Sequence, residues 1–209
     1  AMPKAGVDGV NILHMDSTNF LNEIKNTFLN SKNSRVLTWT NDRAKFYNQY
    51  VSNALSGSDD FTIGDTVVLA RTYSKGSGLD GYRYPADSTM TVKHISNWFK
   101  DKYGITCRFI TNQNNHKLIE AAEISEVNGA LKEAYANGDI GLATILENRY
   151  ADVRHPYGAT VNKSQGSTYD TVFIDLNDIS RCKDLSLKYR LLYVAASRAR
   201  DRIVFTGDI

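Results

Sequence analysis

Cysteine and proline are scarce in this 209-residue chain, which holds two of the first and three of the second. Cys107 and Cys182 lie far apart and form no CxxC pair. That argues against a disulfide framework and a thiolate zinc site, and suits a reducing, cytoplasmic setting. No apolar run reaches transmembrane length and no signal-peptide pattern opens the chain, so no membrane partner is expected. Neither sign of charge dominates: 25 Lys and Arg stand against 23 Asp and Glu, a net +2. Affinity for nucleic acid would therefore have to come from a local patch rather than from bulk charge. His14, His94, His116 and His155 lack metal-ligand spacing, so no metal site is expected. Also missing is GxxxxGK(S/T), the loop whose backbone cradles nucleotide phosphates. The first residue is Ala rather than Met, which reads as a processed or cut N-terminus.

What is present is ordinary for a globular chain. Hydrophobic residues make up 42% and charged residues 23%, enough for one medium domain or two small ones with a real core. Val10–His14 (VNILH) reads as a buried strand. Asp16, Ser17 or Thr18 then caps a helix whose apolar face is Phe20, Leu21, Ile24 and Phe28. Arg35–Trp39 (RVLTW) is a second strand. Asn41 or Asp42 is a natural cap for a helix with Tyr47, Tyr50, Val51, Ala54 and Leu55 on one side. Strand, polar tip, helix is the unit of a parallel α/β sheet, in which ligands bind at strand C-terminal ends. From Phe61 the pattern changes. Thr66–Arg71, Met90–Ile95 and Ile105–Thr111 read as strands separated by Gly, Ser and Asp clusters, a small β-rich insert with the look of a compact barrel. Ser125–Asn137 turns helical and stops at Gly138. The α/β pattern then resumes with strands Ala159–Val161 and Thr171–Asp175, a helix capped by Asp184 with Leu187, Leu191, Leu192 and Ala195 inward, and a last strand Arg202–Thr206. The expected domains are therefore 1–60 with 125–209, and an insert at 61–124.

Two stretches carry chemistry. In KSQGS, Lys163–Ser167, small and polar residues surround a glycine after a short strand. Such a turn is either an ordinary βα connection or an anion cradle of backbone N–H groups. In ASRAR, Ala196–Arg200, two arginines end an apolar helix. One reading is favourable charge at a helix C-terminus, worth roughly 0.3–1 kcal/mol. A second is a basic amphipathic helix for a membrane or a partner protein, set against the need for that apolar face to cover a sheet. The third is an arginine finger, a planar guanidinium that donates two hydrogen bonds to a γ-phosphate as charge develops there. GSGLDG, Gly76–Gly81, matches the GxGxxG fingerprint, yet YRYP follows it where an amphipathic helix is required, so a loop of the insert is the better reading. Tyr82, Tyr84, Trp98, Phe99 and Tyr103 are candidates for stacking on bases, against a plain role in the core.

Order and spacing make the pair more specific than either stretch alone. Tyr157–Asp170 (YGATVNKSQGSTYD) resembles motif V of superfamily 1 helicases, and Leu191–Arg200 (LLYVAASRAR) resembles motif VI. RVLTWTN, Arg35–Asn41, is similar to motif IV, and the segment running to FTIGDTVV, Phe61–Val68, resembles the approach to the β insert of RecD and phage Dda helicases. About 120 residues separate motifs IV and V, too few for the large helical insert of UvrD and Rep. The resemblance implies a second RecA-like motor domain, α/β with a parallel sheet, carrying an inserted SH3-like β-barrel domain. It implies an ATP-dependent DNA helicase that moves 5′ to 3′ on single-stranded DNA and unwinds forks, in the cytoplasm of a bacterial cell or phage-infected host. ATP and Mg2+ would be held mainly by an N-terminal RecA-like domain of the same protein, so the chain alone is expected to be inactive. Replication or recombination proteins are further expected partners.

By position, Arg198 is expected to be the catalytic finger. Gln165, Gly166 and Ser167 would face the nucleotide, and Thr40, Asn41, Thr160, Asn162 and Lys163 the DNA backbone. Asn162 stands where the family usually has His; it keeps a donor but carries no charge. The rival function is a non-catalytic module with this fold that grips single-stranded nucleic acid, and a third is a structural adaptor.

Overall fold

The computed structural model describes residues 10–30, 33–76 and 81–209. It divides into two compact units, residues 1–60 with 155–209, and residues 61–154. The first unit opens with β1 (Asn11–Met15) and α1 (Ser17–Asn30). Asp16 caps α1, its Oδ1 accepting from the Thr18 and Asn19 N–H groups at 3.0 Å each. β2 (Ser34–Thr38) follows, then α2 (Asn41–Ser56). The α2 cap is Thr40, one residue before Asn41 and two before Asp42, because Thr40 holds extended dihedrals and its hydroxyl accepts from Arg43 N–H. Gly57 closes α2 at φ +74, a conformation that costs glycine nothing.

The second unit is antiparallel. It comprises β3 (Thr66–Leu69), β4 (Tyr73–Lys75), β5 (Tyr82–Tyr84), β6 (Thr89–Ile95), β7 (Phe99–Lys100), β8 (Thr106–Asn112) and β9 (Lys117–Ala121), then α3 (Ile124–Ala136), α4 (Ile140–Arg149) and β10 (Val153–Arg154). The main sheet runs β10-β3-β6-β8-β7, with β9 also on β8, and β4 and β5 form a hairpin of their own. Residues 77–80, within GSGLDG, lie outside the described residues; the strand β5 stands after them where a dinucleotide motif would need a helix. The boundary expected at 124/125 moves to 154. Val127, Leu146 and Tyr150 from the α3–α4 segment bury themselves against Ile105, Cys107 and Ile119 of the strands, so these helices belong to the second unit. Helix α4 is absent from the sequence expectation; it buries Ala143 and Leu146.

The chain then returns to the first unit with β11 (Gly158–Thr160), a 3-10 helix over Val161–Ser164, β12 (Tyr169–Asp175), α5 (Leu176–Ser180), α6 (Leu185–Ala196) and β13 (Ala199–Thr206). Its five strands pair in parallel in the order β1-β13-β12-β2-β11. The fold class is therefore α/β with a parallel sheet, as expected. Apolar residues occupy both faces of the central strands. Phe20, Ile24, Val36, Tyr47, Val51 and Phe173 fill the α1–α2 side. Leu37, Val161, Val172, Ile174 and Leu191 fill the α6 side. Asp184 caps α6 by accepting from Leu187 N–H at 3.1 Å.

Candidate nucleotide and nucleic-acid edges

A parallel sheet has two unlike edges, and the candidate residues sort between them. At the C-terminal edge, Thr38 ends β2 and Thr160 ends β11, opposite each other in register. Thr40 and Asn41 leave the first tip; Asn162 and Lys163 follow the second in the 3-10 helix. The five DNA candidates thus share one edge. Thr160 is buried, Asn162 is exposed and Lys163 half-buried. Thr40 is largely engaged within the protein: its N–H and hydroxyl both donate to Asp178, at 2.8 Å each.

Beneath this edge lies a network that the sequence reading missed. Asp178 Oδ2 accepts from Trp39 N–H at 2.7 Å and from Thr40 N–H, while Oδ1 accepts from the Thr40 hydroxyl. Asp175 ends β12 fully buried. Its Oδ2 accepts from Arg43 Nε at 2.5 Å and from the Tyr47 hydroxyl at 2.8 Å, and its Oδ1 from Asp178 N–H. Burial, reinforced by the Asp175 carboxylate, pushes the Tyr47 phenol far above the ordinary tyrosine value. Burial works against the Arg43 charge, and the bond to Asp175 overrides it, so the guanidinium is held even more firmly protonated than usual. The signal was legible in principle. An Asp closing an otherwise apolar strand, TVFID, with a second Asp three residues on, sets two carboxylates where only pairing makes burial tolerable.

The opposite edge collects the nucleotide candidates. Gln165–Ser167 leads into β12 and Arg198 leads into β13. The two segments are tied by Tyr169 N–H donating to Arg198 C=O at 2.8 Å and by Arg198 Nη1 donating to Ser167 C=O at 3.3 Å. Gly166 has φ +85, and an added Cβ would meet nothing within 4 Å; the constraint is backbone conformation, which turns the chain sharply beside the arginine. Gln165 and Gly166 are exposed, and Ser167 and Arg198 are half-buried. The guanidinium bonds the neutral oxygens of Val194, Ser197 and Ser167. Among the described residues no carboxylate pairs with it. Arg200, by contrast, is bound to Asp170 at 3.0 Å. Arg198 therefore keeps charge and donors that an incoming phosphate can take without breaking an ion pair.

Residues 156–206 match the family model of the UvrD-like helicase C-terminal domain. That stretch contains both motifs and both edges' late residues, and supports the resemblance to a superfamily 1 helicase C-terminal region. An uncharacterized protein of Acanthamoeba polyphaga mimivirus is 39% identical over 62 residues, 30% of this chain and 13% of that protein. Among solved structures, Pif1 helicase from Bacteroides in complex with ADP-AlF3 and ssDNA aligns at TM-score 0.42 and 16% identity, over 91% of this chain and 45% of its own. Pif1 helicase from Candida albicans aligns at TM-score 0.38 and 12% identity, over 91% and 53% respectively. The chain thus spans about half the length of these helicases and a small part of the viral relative.

Proposed function

We propose that this chain is the C-terminal motor region of an ATP-dependent DNA helicase of the RecD/Dda type, in which the unit 61–154 stands as the SH3-like insert. In this reading ATP and Mg2+ are held mainly by a separate RecA-like domain carrying the GxxxxGK(S/T) loop. Arg198 donates two hydrogen bonds to the γ-phosphate, and the 165–167 turn faces the same nucleotide. Asn41, Asn162 and Lys163, with Thr40 and Thr160, line the DNA track. Closure on ATP, followed by release after hydrolysis, shifts the grip on single-stranded DNA, giving 5′ to 3′ movement and fork unwinding.

The observation that carries the reading is the pairing of an arginine that has no acidic partner among the described residues with a glycine turn at one sheet edge, inside the segment that matches a helicase family. An arginine with no phosphate opposite it has no such use, so the chain by itself should hydrolyse no ATP. The test compares turnover and nucleotide binding in the longer polypeptide that supplies the phosphate-binding domain. Arg198→Ala should lower DNA-stimulated ATP turnover by roughly 10³-fold or more while ATP still binds. Turnover at the wild-type rate sinks the assignment, and so does robust DNA-stimulated ATPase activity of the 209-residue chain alone.

A further inference from the structure

Asp178 sets a negative charge beneath the edge that gathers the nucleic-acid candidates. It is buried, on α5 directly after β12. A carboxylate bordering a phosphate track opposes a polyanion, so its presence there calls for a use that outweighs the repulsion. Its bonds supply one. Both oxygens face the tip of β2: Oδ2 takes the N–H groups of Trp39 and Thr40, and Oδ1 takes the Thr40 hydroxyl. Arg181, an exposed cation, reaches Oδ1 at 3.5 Å, a pair worth little in water. Asp178 is itself held in place. Its N–H donates to Asp175 Oδ1 at 3.2 Å, and Asp175 in turn binds Arg43 and Tyr47.

Thr40 is committed to the same network. Its N–H and its hydroxyl proton both go to Asp178, each at 2.8 Å. The hydroxyl oxygen accepts from Arg43 N–H at 3.3 Å. Its carbonyl accepts from the Thr38 hydroxyl at 3.0 Å and from Ala44 N–H at 3.1 Å. A phosphate must be met by donors, and both Thr40 donors already serve a buried carboxylate. Turning them outward would leave that charge stranded. Thr40 is therefore a tether, and the residue it presents is Asn41, exposed and first in α2.

We propose that Asp178 is a positioning residue for the nucleic-acid grip: acting through Thr40, it fixes the β2 tip so that Asn41 meets the backbone, while Thr40 touches no nucleic acid itself. A tip that must be ordered at each encounter binds more weakly than one ordered beforehand. The inference rests on the nucleic-acid part of the proposed function and reassigns one of its residues.

The experiment is anisotropy of a labelled oligothymidylate of about 15 nucleotides, titrated with the 209-residue chain at low salt. Asp178→Ala and Asp178→Asn delete the same charge, so electrostatics alone gives them equal affinity. They differ at the tip. The Asn oxygen can accept the two N–H groups while its amide donates to the Thr40 hydroxyl, which rotates to suit; Ala holds nothing. Asp178→Ala should therefore bind about tenfold more weakly than Asp178→Asn, and Asp178→Asn at least as tightly as wild type. Thr40→Val removes the hydroxyl of the tether. It should weaken binding alone and add nothing to Asp178→Ala, since both cut one link. Circular dichroism of each variant establishes that it is folded. Where Asp178→Ala does not fold, Asp178→Ser takes its place, deleting the same charge with a side chain too short to span the tip. Equal affinity of the Ala (or Ser) and Asn variants overturns the inference. So does a Thr40→Val loss that adds in full to the loss at Asp178, which marks Thr40 as a direct contact. Wild-type chain that binds no oligonucleotide overturns the nucleic-acid reading and this inference with it. The helicase reading is decided separately, by turnover of the Arg198 variant.

Discussion

Asp178 shows how much one buried side chain can decide. Its carboxylate accepts from Trp39 N–H, Thr40 N–H and the Thr40 hydroxyl, with Arg181 Nη1 at 3.5 Å. These bonds fix the strand tip from which Asn41 emerges. Asp178→Ala would strand two backbone donors and should cost about 3 kcal/mol of stability, read as a lower urea midpoint. Asp178→Asn, which keeps acceptor capacity, should cost less. Tyr73 offers a second measurement, on pH. Burial pushes its phenol up to about 12, against about 10 for an exposed tyrosine. Below pH 10 both folded and unfolded chains hold the proton, and this stabilising difference is fully present. Between pH 10 and 12 the unfolded chain loses the proton first, so stability falls by roughly 2.5 kcal/mol across that window. Tyr73→Phe should flatten this part of the stability–pH curve; an unchanged slope in chemical denaturation would show that Tyr73 does not titrate late.

At the scale of elements, helices and strands meet through contacts that sequence periodicity does not reveal. Gly158 on β11 is one. A Cβ there would stand 2.7 Å from Ala44 C=O and 3.3 Å from Tyr47 Cβ, so helix α2 packs directly over the strand backbone. Asn48 reinforces the approach, its Oδ1 accepting from Gly158 N–H at 2.7 Å and its Nδ2 donating to Gly158 C=O at 3.1 Å. Gly158→Ala should force α2 outward and destabilise by about 2 kcal/mol or more, whereas Gly166→Ala, with open space around it, should pay only for its positive φ. Comparison of the two urea midpoints checks the order. The cap of α2 falls on Thr40, ahead of both Asn41 and Asp42, for a related reason. Asn41 and Asp42 are good caps in isolation, but Asp178 holds Thr40 in the extended conformation that a cap requires.

For the whole molecule, the decisive feature is that one unit interrupts the other. The chain leaves the first unit after Asp60 and re-enters at His155, and there His155 Nε2 lies 3.3 Å from Asp59 C=O and 3.1 Å from Ser52 Oγ. The exit and return points are therefore adjacent. Replacing residues 61–154 by a short glycine linker should leave a first unit that unfolds cooperatively, with the parallel-sheet signature retained in circular dichroism. Loss of cooperativity would mean that the second unit is required for the sheet to form.

The sequence by itself determined the α/β pattern, the strands RVLTW, TVFID and RIVFT, the Asp184 cap, and the two motifs from Tyr157 to Arg200. These are local matters of apolar periodicity, capping and spacing, which a chain carries wherever it folds. Only the tertiary structure decided the rest. It set the boundary at 154, because α3 and α4 find their apolar partners on strands β8 and β9. It separated the DNA candidates from Arg198 and the 165–167 turn, because parallel strands send their starts and ends to opposite edges. It also put Asp175 and Asp178 beneath Thr40. That last juxtaposition joins residues far apart in the chain, and no local rule of composition or period encodes such a meeting.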